Sequence, residues 1–405
     1  MDKLIIAGAG ASYAISKTYP LMDGFFGSVL NNSWTEEEQK QLANAFATFD
    51  LESLFPIRVP SFERLAEEYL SANPESFQEK KDKYLKSCKE RFTESFNLEN
   101  VIQWAYEAKK TDSISSILFL INLVFSKTSS EIETKANDVY HELFDRFIGK
   151  EKVCTIVSLN YDLVIDRAMF DWLKKDVQST DTGPRQMLTR TDALQGYLIP
   201  KTLPKDFLIK EDVDWAENLP EATEFSGNGM DGISKMLLCK PHGSISFYKH
   251  SENDPEKRCY LLLKKEGDDW NFDSFQNFET IILDPAQGRK RFPKIEPLIV
   301  PPAENKIKSY PILFESERTF LQAIAFAKKI VIIGWSLPET DQDHLRAIRN
   351  KVLSRNVQIE ELTVFDKRES QDDKYFDRVE AIFQPRNMKR FHEGFSKEAV
   401  AAAFS

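Results

Sequence analysis

Cysteine is scarce in this chain of 405 residues, with four in all at Cys88, Cys154, Cys239 and Cys259. No two of them form a Cys-x-x-Cys pair. That spacing excludes a disulfide framework and gives no zinc knuckle. Cys154 and Cys239 stand inside apolar runs, as buried thiols do, and a reducing cytoplasm is the expected compartment. Long hydrophobic runs are missing too. The longest, Ile114 to Phe125, is interrupted by Ser115, Ser116 and Asn122 and falls short of the roughly 20 apolar residues a membrane helix needs. A buried helix is expected there instead. No secretory signal is expected, because the apolar run after Met1-Asp2-Lys3 is short and breaks into glycines. Positive charge is not in excess. The formal net charge of −10 argues against a general nucleic-acid coat. The basic run Gly288-Arg289-Lys290-Arg291 reads as a solvated loop. Histidine is rare as well, at five residues.

What is present is ordinary for a globular protein: 41% apolar residues, 29% charged, and 30 phenylalanines to fill a core. The length suits two or three domains, or one large α/β domain with insertions. Apolar, β-branched runs mark strand candidates at 3–8, 152–158, 236–240, 259–263, 280–283, 298–300, 329–333 and 361–365. Helical spacing follows several of them, at about 312–328 and 341–354. Strands alternating with helices predict a mostly parallel sheet with helices on both faces. The sheet domain is expected over 1–34 and 151–366. Residues 35–150 read as an inserted helical subdomain, from apolar residues such as Phe62, Leu65, Ala66, Tyr69 and Leu70. Residues 176–235, rich in Asp, Thr, Pro and Gly, read as a loop-rich insertion. Residues 367–405 read as a C-terminal helical tail.

Polar residues collect where the strand candidates end, and in open α/β sheets ligands bind at those ends. Ser158-Leu159-Asn160-Tyr161-Asp162 closes one strand and points Asn160 and Asp162 at a crevice. Gly8-Ala9-Gly10-Ala11-Ser12 closes the first. Its Gly-x-Gly is half of a dinucleotide fingerprint, since Tyr13 holds the third glycine position. It is either a turn whose amides approach a phosphate or a plain tight β-to-α turn. Lys240-Pro241-His242-Gly243-Ser244 closes a third, so His242 either caps a turn or does chemistry at the crevice. Ile333-Gly334-Trp335-Ser336 repeats the design. Thr340 and Asp341 beyond it either cap the next helix or serve the site. Val300-Pro301-Pro302, leading to Lys306, either stops edge pairing or borders the site.

Taken in order, Gly-Ala-Gly-Ala-Ser at 8–12, Ser-Leu-Asn-Tyr-Asp at 158–162, Pro-His-Gly-Ser at 241–244 and Gly-Trp-Ser-Leu-Pro-Glu-Thr-Asp at 334–341 resemble the sirtuin-like domains of bacterial antiphage defence proteins. Asn97-Leu98-Glu99 and the Val-Pro-Pro segment resemble that group as well, and the matches span about residues 4–345. The resemblance implies a Rossmann-type fold that binds NAD across the carboxyl edge of its sheet. It implies a pyrophosphate turn at Gly8, Ala9, Gly10 and Ser12, with Ser158, Gly243 and Asp23 nearby. It implies Asn160 by the nicotinamide ribose and Asp162 near the nicotinamide carboxamide or its ribose. His242 takes the place of the general base, and Gly334 and Ser336 lie near the adenosine ribose. Three departures stand against protein deacylation. Leu159 replaces a glutamine, the Pro-Asp-Phe-Arg segment is reduced to Pro20 and Asp23, and the zinc module is absent, so no metal is expected.

The resemblance therefore implies an NAD hydrolase that yields nicotinamide and ADP-ribose and depletes NAD in abortive infection. The alternatives are an NAD-dependent ADP-ribosyltransferase or protein deacylase, and a non-catalytic module that senses NAD or ADP-ribose for a partner. Self-assembly into a homo-oligomer is expected, with a HerA-type ATPase translocase as activating partner ahead of a short Argonaute. No membrane association and no strong direct nucleic-acid site are expected.

Overall fold

The structure is a computed structural model. It describes residues 2–17, 19–21, 25, 28, 34–35, 98, 101–102, 105, 111–149, 154–177, 236–250, 259–261, 263–266, 269–272, 295–300, 311–338, 341–368 and 373–405. The chain begins with β1 (Lys3–Ala7) and the short α1 (Ala9–Ile15). The long α2 (Thr111–Leu143) then leads to β2 (Cys154–Ser158), α3 (Val164–Val177) and β3 (Met236–Cys239). Five short strands follow: β4 (Gly243–His250), β5 (Cys259–Leu261), β6 (Leu263–Glu266), β7 (Asp269–Phe272) and β8 (Ile295–Ile299). The chain closes with α4 (Pro311–Phe326), β9 (Lys329–Ile333), α5 (Gln342–Ser354), β10 (Glu361–Phe365), α6 (Asp373–Phe383), β11 (Asn387–Phe391) and α7 (Lys397–Ala403).

Six strands form one parallel sheet in the order β11-β10-β9-β1-β2-β3. Numbered by their own order in the chain, they run 3-2-1-4-5-6 across the sheet, which is the doubly wound Rossmann arrangement. The expected α/β fold with helices on both faces is what the chain adopts. Strand periodicity sorts the two faces. Ile5, Ala7, Ile156, Val331 and Ile333 pack on one side with α1, α2, α3 and α7. Leu4, Ile6, Val157, Ile330, Ile332 and Val364 pack on the other with α4, α5 and α6. A side-chain period of two produces this split. Because both faces are covered, each central strand is apolar throughout rather than alternating.

The apolar stretch at 114–125 lies in α2, where Ile117, Leu118 and residues 120–125 are buried. Among the described residues no helix is long and apolar enough to cross a membrane. Residues 111–149 of the expected helical subdomain pack against the sheet domain. Within them α2 is the helix of the β1-to-β2 crossover and lies against α3. The helical candidates at 62–70, the loop-rich segment 178–235, the strand candidate 280–283 and the basic run 288–291 lie outside the described residues.

Two expectations change. The candidates at 259–263 and 298–300 do not join the parallel sheet. Instead β5 and β8 flank β4 in an antiparallel three-stranded sheet, and β6 and β7 form an antiparallel pair. Only Lys240, Pro241 and His242 separate β3 from β4. Parallel neighbours need a crossover of a dozen or more residues, so the chain leaves the main sheet at this point. Gly243 makes the exit at φ +82°, and a Cβ there would stand 2.0 Å from the Leu298 carbonyl oxygen. Nor does the sheet end at residue 366. β11 pairs in parallel with β10 as its sixth strand, and α7 buries Ala399, Val400 and Ala403 against the same core. The Ser396 hydroxyl caps α7 by accepting from the Ala399 amide at 3.2 Å.

The switch point, where the strand order reverses, lies between β1 and β9. There the two exit turns touch backbone to backbone. Gly10 N–H donates to the Gly334 carbonyl at 2.9 Å, and Gly8 N–H donates to Ile333 at 2.9 Å. Gly334 sits at φ +55°, and a Cβ on it would meet the Ala11 nitrogen at 2.2 Å. Gly334→Ala should therefore lower stability by about 2 kcal/mol or more. The midpoint of denaturant unfolding measures it, and an unchanged midpoint would contradict the close approach.

Candidate functional site

A cavity of about 1050 Å³ opens along the carboxyl edge of the sheet, over the exits of β2, β1, β9, β10 and β11. Four strand spacings of about 4.8 Å make it ~19 Å long. Its volume is at the upper end for small-molecule sites, which run ~300–1,000 Å³.

One end lies over β2 and β1. Asn160 lines it and is 6% exposed. Its Nδ2 donates to the Gly8 carbonyl at 3.0 Å, while Leu159 N–H donates to the Ala7 carbonyl at 2.9 Å. A carbonyl only accepts, so this contact fixes the amide and leaves Oδ1 as its acceptor. His242 lines the same end. Its Nδ1 lies 3.2 Å from the Leu159 carbonyl oxygen. By the same logic Nδ1 carries a hydrogen, and in the neutral ring the lone pair belongs to Nε2. The exit turn that separates β3 from β4 is what brings His242 beside the end of β2. Val300 N–H donates to the His242 carbonyl at 2.8 Å, and the Tyr161 hydroxyl donates to the Val300 carbonyl at 2.9 Å, so the turn is held from both sides.

Asp162, expected in the cavity, lies beneath it and is 0% exposed. Its Oδ2 accepts from the Ser12 hydroxyl at 3.2 Å and from the Tyr19 hydroxyl. Its Oδ1 accepts from the Val164 amide at 2.8 Å, an Asx turn that starts α3. Burial pushes the Asp162 carboxyl up from its ordinary value, against the pull of Lys240 and the hydrogen bonds from Tyr19 and Val164. Burial, with the charge of Asp162 beside it, pushes the Tyr19 phenol well above its ordinary range. Tyr19 is therefore a fixed donor at the cavity wall. Lys240 is also 0% exposed. Its ammonium donates to the Asp162 carbonyl and to the Asp166 carboxylate, at 2.9 Å to Oδ2. Ser158 is buried as well, and its hydroxyl accepts from the Asn160 amide at 3.4 Å. Among the other expected residues, Gly8, Ala9, Gly10, Gly334 and Ser336 line the cavity, whereas Ser12, Ser158 and Gly243 support it from behind. Asp23 lies outside the described residues. One detail of the turn expected to hold phosphate changes: the Gly10 amide donates to the Gly334 carbonyl.

The far end lies over β10 and β11. Lys17, Lys367 and Arg368 line it together with Asp366 and His392. Arg368 Nε donates to Asp366 at 2.8 Å. The Lys17 ammonium stands 3.7 Å above the Tyr13 ring. Burial and the positive charge of Lys367 lower its pKa. This end carries three cations and one carboxylate, an electrostatic match for an anion.

Sequence reasoning missed Tyr19, Lys240, His344 and the far-end cluster, and left Asp341 open between a helix cap and a site residue. The Asp341 side chain makes no cap hydrogen bond; its Oδ2 accepts from the Trp335 indole at 3.1 Å instead. The available signal was the spacing of Asp341 and His344, which puts both on one helix face. Cys154 and Cys239 are buried free thiols, the latter pushed up to about 12 by burial. Among the described residues no group of three or more His, Cys, Asp or Glu stands ready for a metal ion. No protein-family model matches the chain, and no curated protein matches it. The floor beneath the cavity is directly testable. Lys240→Met removes the buried ammonium from beside the Asp166 carboxylate and should destabilise the fold by about 3–5 kcal/mol, read from denaturant unfolding. A loss below about 1 kcal/mol would mean the pair is not buried as described.

Proposed function

We propose that the chain is an NAD glycohydrolase that cleaves the nicotinamide–ribose bond and releases nicotinamide and ADP-ribose. The observation that carries this reading is the cavity at the switch point of a Rossmann sheet, with Asn160 and the oriented imidazole of His242 together at one end. Ligands of doubly wound sheets bind at this point. The length of ~19 Å suits a dinucleotide laid along the edge, and the three cations towards the far end give the cavity a positive field that favours one that carries phosphate.

The chemistry asks little of a nucleophile. Nicotinamide leaves with both electrons of the C1′–N bond and becomes neutral, while C1′ becomes oxocarbenium-like. Water adds to C1′ and gives up a proton to His242 Nε2, the nitrogen that carries the lone pair. Asn160 Oδ1 accepts a hydrogen bond from that water or from a ribose hydroxyl and so fixes the line of attack. Asp162 acts from beneath, holding Tyr19 and the start of α3 rather than touching substrate. The apolar side chain of Leu159, where deacylases carry glutamine, favours hydrolysis over acyl transfer. Control by self-assembly or by a HerA-type translocase belongs to the same proposal, since an uncontrolled NAD hydrolase would exhaust its host.

Purified protein, with its activator present, should convert NAD to nicotinamide and ADP-ribose. Asn160→Ala and His242→Ala should each lower the rate at least about 100-fold, as read by product chromatography. Turnover unchanged in both variants would remove these roles. Tight binding of NAD without turnover by the wild type would favour the sensing module. The double variant Lys17→Glu, Lys367→Glu should raise KM for NAD about ten-fold with little change in kcat; an unchanged KM would remove the far end from the binding site.

A further inference from the structure

Beside His242 stand titratable side chains that the proposed reaction does not use. Asp341, at the start of α5, is 3% exposed and lines the cavity. Its Oδ1 lies 3.7 Å from His242 Nε2. That is too long for a hydrogen bond but close enough for a strong charge interaction in a water-poor pocket. Its Oδ2 is held by the Trp335 indole, so the carboxylate keeps one orientation. His344, one turn into α5 and 6% exposed, sets its ring edge-on to His242, with centroids 5.2 Å apart. His344 Nε2 lies 3.5 Å from Glu317 Oε1 on α4. Among the described residues, the groups facing His242 include Asp341 and His344 from α5, Glu317 from α4 behind His344, and the Leu159 carbonyl from the end of β2.

We propose that Asp341 is a positioning residue for His242, one that faces its imidazole towards the cavity and stabilises the imidazolium formed when Nε2 takes a proton. Leu159 and Asp341 divide the work on the one ring. The carbonyl takes the Nδ1 hydrogen and sets the tautomer. The carboxylate stands on the Nε2 side and stabilises the charge that arrives there. A buried imidazolium without a counter-charge would be disfavoured by desolvation. The Asp341 site is independent of helix capping, since the side chain makes no cap bond. The Trp335 indole binds Asp341 rather than a ligand.

The kinetic half of this inference rests on the hydrolase reading, while the titration half does not. Asp341→Asn is nearly isosteric, and its amide oxygen still accepts from the Trp335 indole, so the full chain should fold. The chain has five histidines, and their ring carbon signals can be followed by NMR against pH without any nucleotide, with His242→Asn assigning one of them. An opposite charge at this range raises a histidine midpoint, so Asp341→Asn should move the His242 midpoint down by about one pH unit. Asp341→Glu should move it back towards wild type. In the NAD hydrolysis assay the low-pH limb of kcat/KM should move down by the same amount while the plateau falls. A structural defect would lower the plateau without moving the limb. A His242 midpoint that stays put in Asp341→Asn overturns the proposal. A midpoint that moves, in a protein whose wild type turns over no NAD, leaves the Asp341–His242 pair standing and overturns the hydrolase reading instead.

Discussion

The Gly10 amide and the Gly334 carbonyl, 2.9 Å apart, form the contact on which the site depends. They join the exits of the two neighbouring strands at which the sheet reverses its winding. From there α1 turns to the Ile5 face, and α5 turns to the face of Leu4 and Ile6. Helices that part to opposite faces leave a crevice between them, and the depth of that crevice is set by how closely the two turns approach. Side chains would hold them apart, since a Cβ on Gly8 would stand 2.7 Å from the Gly334 oxygen and one on Gly10 2.8 Å from the Gly334 Cα. The glycines here are a packing requirement first. The cavity wall they form follows from it.

Beneath that wall the fold buries charge. Asp162, Asp166 and Lys240 are all 0% exposed, and Tyr19, Ser12 and backbone groups complete their hydrogen bonds. Buried pairs of this kind add little net stability but are costly to break. Their effect is to fix geometry. They tie the end of β2, the start of α3 and the end of β3 to one another, so that Asn160 and His242, each one step from this knot, have no freedom to drift. The strand-end motif Ser158 to Asp162 thus divides its labour. Leu159 and Asn160 face the cavity, while Ser158 and Asp162 hold the frame.

Much of this was legible in the sequence. The apolar runs at 3–8, 152–158 and 329–333 are strands because both sheet faces are covered, and each ends in the small or polar residue that a sheet edge needs. Asn160 and His242 could be paired as site residues because both stand at such ends. The antiparallel β4-β5-β8 sheet was not legible, since a short apolar strand looks the same in either direction and only the three-residue link after β3 betrays it. β11 was hidden because it is an edge strand, Asn387-Met388-Lys389-Arg390-Phe391, with no buried residue. Lys240 gave no sign of burial, because a lysine is buried only when carboxylates distant in the chain come to meet it. Asp341 stayed open between a cap and a site residue, since its partner His242 becomes a neighbour only when β3 and β9 share a sheet.

The central claim is an orientation: the nicotinamide ribose over β2, the phosphates over the paired glycine turns, the adenosine end over β10 and β11. A crystal structure of Asn160→Ala or His242→Ala soaked with NAD tests it most directly. C1′ of the nicotinamide ribose should lie beside residues 160 and 242, and the adenosine end beside Lys367 and Arg368. A dinucleotide bound in the reverse direction, or bound away from this edge, would contradict it.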